Sequence, residues 1–353
     1  MKKSNNLIKI STCLLMLLLM VGFLGYFTAS PVLSSDNLKV ALIADVGGFG
    51  DQAYNDATLE GVKWAEEEFG IEYIAVEPSQ LSDYGTYMRS MVMEGAELII
   101  ANSAAMEDVV ITIAQEFPEV NFLILDSDVD HLANVMSVAY REEEASFLMG
   151  AFQAMMTKTD KIGFIAGMRI PVLERFSAGM KAGAKTINPD VNIFVSFTGT
   201  FSDVGAGKET ASSMFDQGID FISAAAGGAN LGVFQAADER GGDNYVGGAA
   251  TGQFHLMPNR IIASQVKLVN HSVYNVVEMA YQDKFEGGLN IFGLEQNGVD
   301  LAYSENEELA KLIPEKVKET IEKLRKDIIS GNIVPPKTEE ELSDFIIPEL
   351  DYL

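Results

Sequence analysis

One cysteine, Cys13, and three histidines are all that this chain of 353 residues offers to thiol or imidazole chemistry. With no second cysteine there is no intrachain disulfide, and a zinc site built on cysteines is excluded. His131, His255 and His271 have no metal-ligand spacing and stand beside no serine-nucleophile motif. They read as surface or loop residues, His255 being the one next to a candidate ligand loop. With only 10 prolines and no low-complexity tract, the chain lacks the signature of long disorder. Basic residues are scarce as well: 25 Lys and Arg face 51 Asp and Glu, a formal charge of −26. Nucleic-acid binding, which needs clustered cations on one face, is thereby excluded, and the acidity reads as a solvated surface. No P-loop is present, so energy from ATP would have to come from elsewhere.

Such basic charge as the N-terminus has is placed meaningfully. Lys2, Lys3 and Lys9 precede an apolar run from Cys13 to Phe27, followed by Thr28, Ala29, Ser30, Ser34 and Ser35, which is the grammar of an export signal. The run falls short of the roughly 20 residues of a comfortable membrane span, so 1–35 is expected to be a signal peptide, with an N-terminal anchor as the alternative. Cys13 opens the run and does not follow it, so no lipid-modified cysteine is expected. The chain should work outside the cytoplasm, in a periplasm or on the outer face of the cell membrane. Without the segment before Asp36, 22 basic and 51 acidic residues leave a charge of −29.

From Leu38 on, short apolar runs alternate with longer amphipathic ones, the pattern of βα units on a parallel sheet. Strands are expected at 40–44, 71–76, 98–101, 122–125, 135–139, 162–165, 193–197, 221–225 and 245–247. Helices are expected at 56–69, 108–117, 142–156, 172–187 and 207–217, with Gly70 and Asn188-Pro189 as stop signals. The units fall into two successive sets, which predicts an α/β chain of two doubly wound parallel-sheet domains with an interdomain ligand cleft, and not one barrel. The first lobe is expected over 36–140 plus about 258–290, the second over 141–257 plus about 291–330. A closing helix at 314–330 leads into an acidic tail, 331–353, expected to be peripheral.

Ligands of doubly wound sheets sit beyond the carboxyl ends of the strands, which brings the loops after them forward. The richest is Asp45 to Asp56. Its glycines allow close approach of backbone to a ligand, Asp45 can accept hydrogen bonds, Tyr54 can stack on a planar ring and Asn55 can both donate and accept. The plainer alternative is a tight turn in which Asp51 caps the next helix and Tyr54 packs in the core. Asp45 and Asp51 lack the convergent carboxylates of a calcium-dependent nucleoside hydrolase, so no metal is expected. Asp128 and Asp130 read as solvated loop acids.

Several phrases occur in the order of one family. They are Asp45-Val46-Gly47-Gly48 through Asp51 to Tyr54-Asn55, Phe122-Leu123-Ile124-Leu125-Asp126, Asn134-Val135 through Glu144 to Gly150, Ile170-Pro171-Val172 through Arg175-Phe176 to Gly179, Phe201-Ser202-Asp203 to Gly207-Lys208, Ala226-Gly227-Gly228 to Leu231-Gly232, and Ser264-Gln265-Val266-Lys267. In these the chain resembles the basic membrane protein family of ABC-transporter substrate-binding proteins, the purine-nucleoside-binding, PnrA-like type. The resemblance implies a type I periplasmic-binding-protein fold that captures a small molecule by domain closure. The partners it implies are an ABC permease and ATPase subunits, with no cofactor, no nucleic acid and no catalysis, and a monomer is expected. Tyr54, at the family's stacking phenylalanine, and Phe176 would sandwich the base, Asp126 and Asn55 would bond the ligand, Lys267 would contact the ribose, and Gly227 and Gly228 would line the site. Taken without the family, Phe176 reads equally as helix core, Asp126 as a loop cap and Lys267 as a solvated strand end.

One stretch departs from the family. Where it has an acidic Gly-Val-Asp-Ser-Asp-Gln segment, this chain has Val246-Gly247-Gly248-Ala249-Ala250-Thr251-Gly252-Gln253. The missing aspartate would have bound the ribose hydroxyls, so discrimination for a sugar diol should be weaker. Thr251 and Gln253 are expected to supply neutral hydrogen bonds instead, and the ligand class widens from a purine nucleoside to a nucleobase or a flavin-like compound. Two rival readings are a sensor or receptor subunit that uses the same closure, and a nucleoside-hydrolysing enzyme.

Overall fold

The computed structural model describes residues 37–350. The expected signal segment, 1–35, with Cys13, and the last three residues lie outside the described residues. The described residues from Leu38 on form one compact unit. In chain order its strands are β1 (Lys39–Ile43), β2 (Glu72–Val76), β3 (Leu98–Ala101), β4 (Asn121–Leu125), β5 (Val135–Tyr140), β6 (Lys161–Ala166), β7 (Asn192–Phe197), β8 (Phe221–Ala225), β9 (Tyr245–Ala250), β10 (Ile261–Lys267), β11 (Gly288–Phe292) and β12 (Val299–Tyr303). They form two six-stranded sheets, β11-β5-β4-β3-β1-β2 and β12-β10-β9-β8-β6-β7. All pairs are parallel except β10 with β12. The central strands are apolar and buried on both faces, as parallel strands covered by helices must be. In each sheet the chain starts one strand in from an edge (β1, β6), adds that edge (β2, β7) and returns to build the rest of the sheet on the other side, the doubly wound order.

The chain passes from the first sheet to the second along the helix Glu142–Met156. It returns through the helix Val269–Tyr281 to β11, then crosses again to β12. This differs from the expectation that 258–290 rejoins the first lobe as a block. Ile261–Lys267 is buried at every residue and needs a neighbour on each side, which β9 and β12 provide in the second sheet. Ser264 Oγ fixes this register by accepting the Gly248 N–H at 3.1 Å. Apart from Lys267 at the end of β10, it is from Val269 on that the chain packs against the first lobe, where its helix lies on the helix Tyr54–Phe69.

The connecting helix is buried on every side from Glu142 to Gln153. It packs backbone to backbone on the helix Pro171–Ile187. A Cβ added at Gly183 would stand 1.9 Å from the Phe147 carbonyl oxygen, and one at Gly150 1.9 Å from that of Met180. Pro171 starts the second of these helices at its first position and Gly70, left-handed at φ 69°, ends the helix Tyr54–Phe69, each as its residue type dictates. The tail is docked at its start and its acidic stretch is largely exposed. Ile333, Pro335 and Pro336 are buried, Lys181 pairs with Glu339 at 2.5 Å, and Phe345 meets Phe147 edge-on at 6.1 Å.

Candidate functional site

The loop after β1 is held by its own carboxylates and amides. Asp51 accepts the N–H groups of Ala53 (2.8 Å), Asn55 (3.0 Å) and Asp56 (3.2 Å) and so caps the helix that follows. Asp56 in turn takes the N–H of Gly50 at 2.7 Å and of Gln52 at 2.8 Å, and Glu77 takes that of Phe49 at 2.6 Å. Asn55 is buried and bonded in three directions: its Oδ1 accepts from the Asp45 N–H (2.8 Å) and Asn102 Nδ2 (2.9 Å), and its Nδ2 donates to Asp51 (3.2 Å). Asn55 and Asn102 therefore join the loops after β1 and β3 at the switch point of the first sheet. Asp45 accepts from the Tyr84 hydroxyl at 2.9 Å. Burial pushes the Asp45 carboxyl above the usual range although the Val46 N–H and Tyr84 oppose it, and burial does the same to Asp51.

A second group converges from segments far apart in sequence. Asp126 follows β4 with a left-handed φ of 61° and pairs with Lys267 Nζ, at the end of β10 in the other sheet. Lys267 Nζ also donates to Glu142 Oε1 at 2.8 Å, and Glu142 Oε2 accepts from Arg175 Nε at 2.8 Å. The Lys267 ammonium lies 4.6 Å from the ring centroid of Tyr140 and 5.0 Å from that of Tyr54, within cation–π range of both. The Tyr54 and Tyr140 hydroxyls are buried and make no well-formed hydrogen bond, although Tyr54 approaches Asp126 and Tyr140 approaches Ser272. Burial, and next the Asp126 charge, hold the Tyr54 hydroxyl well above its ordinary pKa, so it stays a neutral donor.

Of the residues expected from the sequence, the structure thus brings Tyr54, Asp126 and Lys267 together, with Asp45 close enough to Asp126 to feel its charge. Phe176 is buried in a second-lobe cluster with Phe201 and Ala249 and stacks on Phe164, centroids 6.4 Å apart. Gly227, with φ 58°, and Gly228 back onto the Phe201 carbonyl, and Gly228 also faces Asp51 of the first lobe. Gln253, 1% exposed, accepts on Oε1 from Asn230 Nδ2 (2.9 Å) and the Ala249 N–H (3.3 Å), and donates from Nε2 to the Gln52 carbonyl (3.0 Å). Its polar groups are spent on the protein, while Thr251 is exposed. A cavity of about 180 Å³ lies at this seam between Phe49, Gln52, Phe201, Gly228, Leu231 and Leu256. Gly227 and Gly228 line it, while Tyr54, Asp126 and Lys267 do not.

Tyr140, Glu142 and Arg175 were not singled out from the sequence. The signal was there: Glu142, Glu143 and Glu144 open a helix that, Ser146 and Gln153 apart, is apolar all round, and carboxylates in such a helix are buried and need partners. No group of three or more candidate metal ligands occurs among the described residues, and Asp128 and Asp130 are exposed. No helix among them is long and apolar enough to cross a membrane.

Comparison with known proteins adds to this geometry. A family described as ABC transporter substrate-binding protein PnrA-like (Bmp) matches residues 38–338. Basic membrane protein A1 of Borrelia garinii subsp. bavariensis is 34% identical over 320 residues, covering 89% of this chain and 93% of that protein. The ABC transporter nucleoside-binding protein BmpA of Lactococcus lactis subsp. cremoris is 30% identical, covering 85% and 89% respectively. Among solved structures, an ABC transporter solute-binding protein from Aeropyrum pernix K1 superposes with a TM-score of 0.81 at 27% identity, over 87% of this chain and 96% of that one.

Proposed function

The chain belongs to the Bmp family of PnrA-like substrate-binding proteins of ABC transporters, and on that footing we propose that it captures a purine nucleoside, or a related nucleobase or flavin-like compound, by closing two lobes around it. As a member it is a binding subunit and not an enzyme, works outside the cytoplasm and hands a small molecule to a membrane permease. The fold is the two-lobed, doubly wound one of the ABC solute-binding proteins. ATP turnover falls to separate ATPase subunits. We further read 1–35 as a signal peptide or anchor and the working form as a monomer.

The observation that carries the ligand reading is the convergence of Tyr54, Asp126 and Lys267 between the sheets. An aromatic face offers a heterocycle broad apolar contact, Asp126 can accept from a ring or exocyclic N–H, and Lys267 can donate to hydroxyl or carbonyl oxygens. Because Asp126 and Lys267 come from different sheets, a ligand touching both favours the closed arrangement through differential binding, and that is the shape a permease would recognise. The Lactococcus relative named as nucleoside-binding supports the same class. Asp45, Asn55, Phe176, Gly227 and Gly228 complete the proposed site, Asn55 by shaping the loop. With Gln253 engaged in the protein and Thr251 exposed, ribose hydroxyls meet no acid in this loop. Preference for nucleoside over free base should accordingly be modest.

Titration calorimetry tests this on residues 37–353, unfolded and refolded to remove carried-over ligand, with inosine, guanosine, adenosine, their bases and riboflavin. Saturable binding of at least one, with no base released from any nucleoside, is expected. Binding of none of them would refute the ligand class, and release of free base would restore the hydrolase reading.

A further inference from the structure

We propose that Glu142 and Arg175 are positioning residues for the ligand: touching nothing but protein, they hold the Lys267 ammonium in the site with one N–H left to give. A lysine ammonium has three donors. One goes to Asp126 and one to Glu142 Oε1 at 2.8 Å, so a single N–H remains between the rings of Tyr54 and Tyr140. Asp126 alone would be a poor anchor, because a ligand that bonds this carboxylate competes for the oxygen Lys267 uses. The flexible lysine stem would then be free to leave.

Glu142 supplies the second anchor from outside the binding loops. It is the first residue of the connecting helix and is 0% exposed. Its two oxygens are divided between Lys267 and Arg175, each at 2.8 Å, which fixes the carboxylate plane. Two carboxylates and two cations make the chain Asp126–Lys267–Glu142–Arg175 neutral as a unit, the condition under which buried charges are tolerated. The proposal rests on the reading in which Lys267 donates to a ribose hydroxyl oxygen of the ligand, and it assigns to Glu142 and Arg175 the task of keeping that donor in place.

Two measurements separate this claim from the ligand claim. In the ligand-free protein, the Lys267 ammonium, assigned through Lys267→Met, should give a persistent 1H–15N signal that Glu142→Gln erases through exchange with water. A signal unchanged in Glu142→Gln overturns the proposal, whatever the ligand is. With ligand, Glu142→Gln should weaken inosine binding about tenfold or more and leave hypoxanthine, which has no ribose, unaffected. In a Lys267→Met background the same change should cost nothing further. Equal losses for both ligands, or an undiminished loss without Lys267, mark a general structural role and overturn the proposal. Arg175→Gln, at a side chain 24% exposed, gives the same readouts should Glu142→Gln fail to fold. If the wild-type protein binds neither compound while the ammonium signal behaves as stated, the ligand reading has failed and the positioning role stands.

Discussion

Gln253 of the second lobe donates from Nε2 to the backbone carbonyl of Gln52 in the first, at 3.0 Å, and both residues hold left-handed backbones, with φ of 60° and 51°. His255 Nε2 meets the Gln52 side chain at 3.2 Å beside this bond. Two non-glycine residues in that region of φ are uncommon and persist only where their surroundings fix them. Here Asn230 and Ala249 hold one side, and Asp56, through the Gln52 N–H, holds the other. The pair therefore acts as a strut across the cleft.

Gln253→Ala removes that strut together with two bonds inside the second lobe. Stability should fall by about 2 kcal/mol. The ligand-free protein should become more open, with a larger radius of gyration in small-angle scattering, and ligand should bind several-fold more weakly because closure is less favoured. Unchanged scattering and affinity would show that the bond plays no part in closure.

Glu143 makes stability depend on pH in an unusual direction. Its carboxyl is buried, Oε2 has no partner, and burial raises its pKa to about 7, the Glu142 charge adding to the shift while Lys337 and Arg175 oppose it. A folded-state pKa above the unfolded value near 4.5 means that the native protein binds the proton more tightly. The group's contribution then falls as pH rises from about 4.5 to about 7 and is level beyond, a loss of order 3 kcal/mol. Glu143→Gln should therefore unfold several degrees higher than wild type at pH 8 and nearly with it at pH 4.5. Thermal unfolding at the two pH values checks this, and a difference independent of pH would contradict it.

Gly183→Ala should be destabilising out of proportion to a single methyl group. The added carbon would meet the Phe147 carbonyl oxygen at 1.9 Å, so the helix Pro171–Ile187 must move off the connecting helix. Overpacking of this kind costs about 1–3 kcal/mol or more, against a small gain in helix propensity. Denaturant unfolding reads the effect directly. Gly70→Ala should cost less: φ there is positive, unlike at Gly183, which strains a side chain modestly, but a Cβ meets nothing within 4 Å.

The strands of both sheets were legible because a strand covered by helices on both faces is apolar throughout, and runs such as Phe122 to Leu125 show it plainly. β10 escaped because Ser264, Gln265 and Lys267 interrupt its apolar pattern, although all three are buried by specific partners. β11 and β12 are partly exposed edge strands with mixed composition. In the site, Asp126 and Lys267 are 141 residues apart, and no local pattern says they meet; family order alone brought both forward. Glu142 was passed over because three glutamates at a helix start resemble a solvated first turn favoured by the helix dipole. That these glutamates are buried is a property of the neighbouring helix and the tail, which a reading of one segment at a time does not contain.

Tyr54→Phe sets stability against binding at one atom. The hydroxyl is buried beside the Asp126 carboxylate but makes no well-formed hydrogen bond to it, so deleting it should raise unfolding stability by about 1 kcal/mol, because a poorly satisfied polar group is relieved. If the hydroxyl is retained because it bonds the ligand, the same change should weaken ligand binding about tenfold, chiefly through faster release. Denaturant unfolding and calorimetry on the one variant give both numbers. A gain in stability with undiminished affinity would mean that Tyr54 contributes only its ring, as a phenylalanine would, and that Asp126 and Lys267 carry the polar recognition alone.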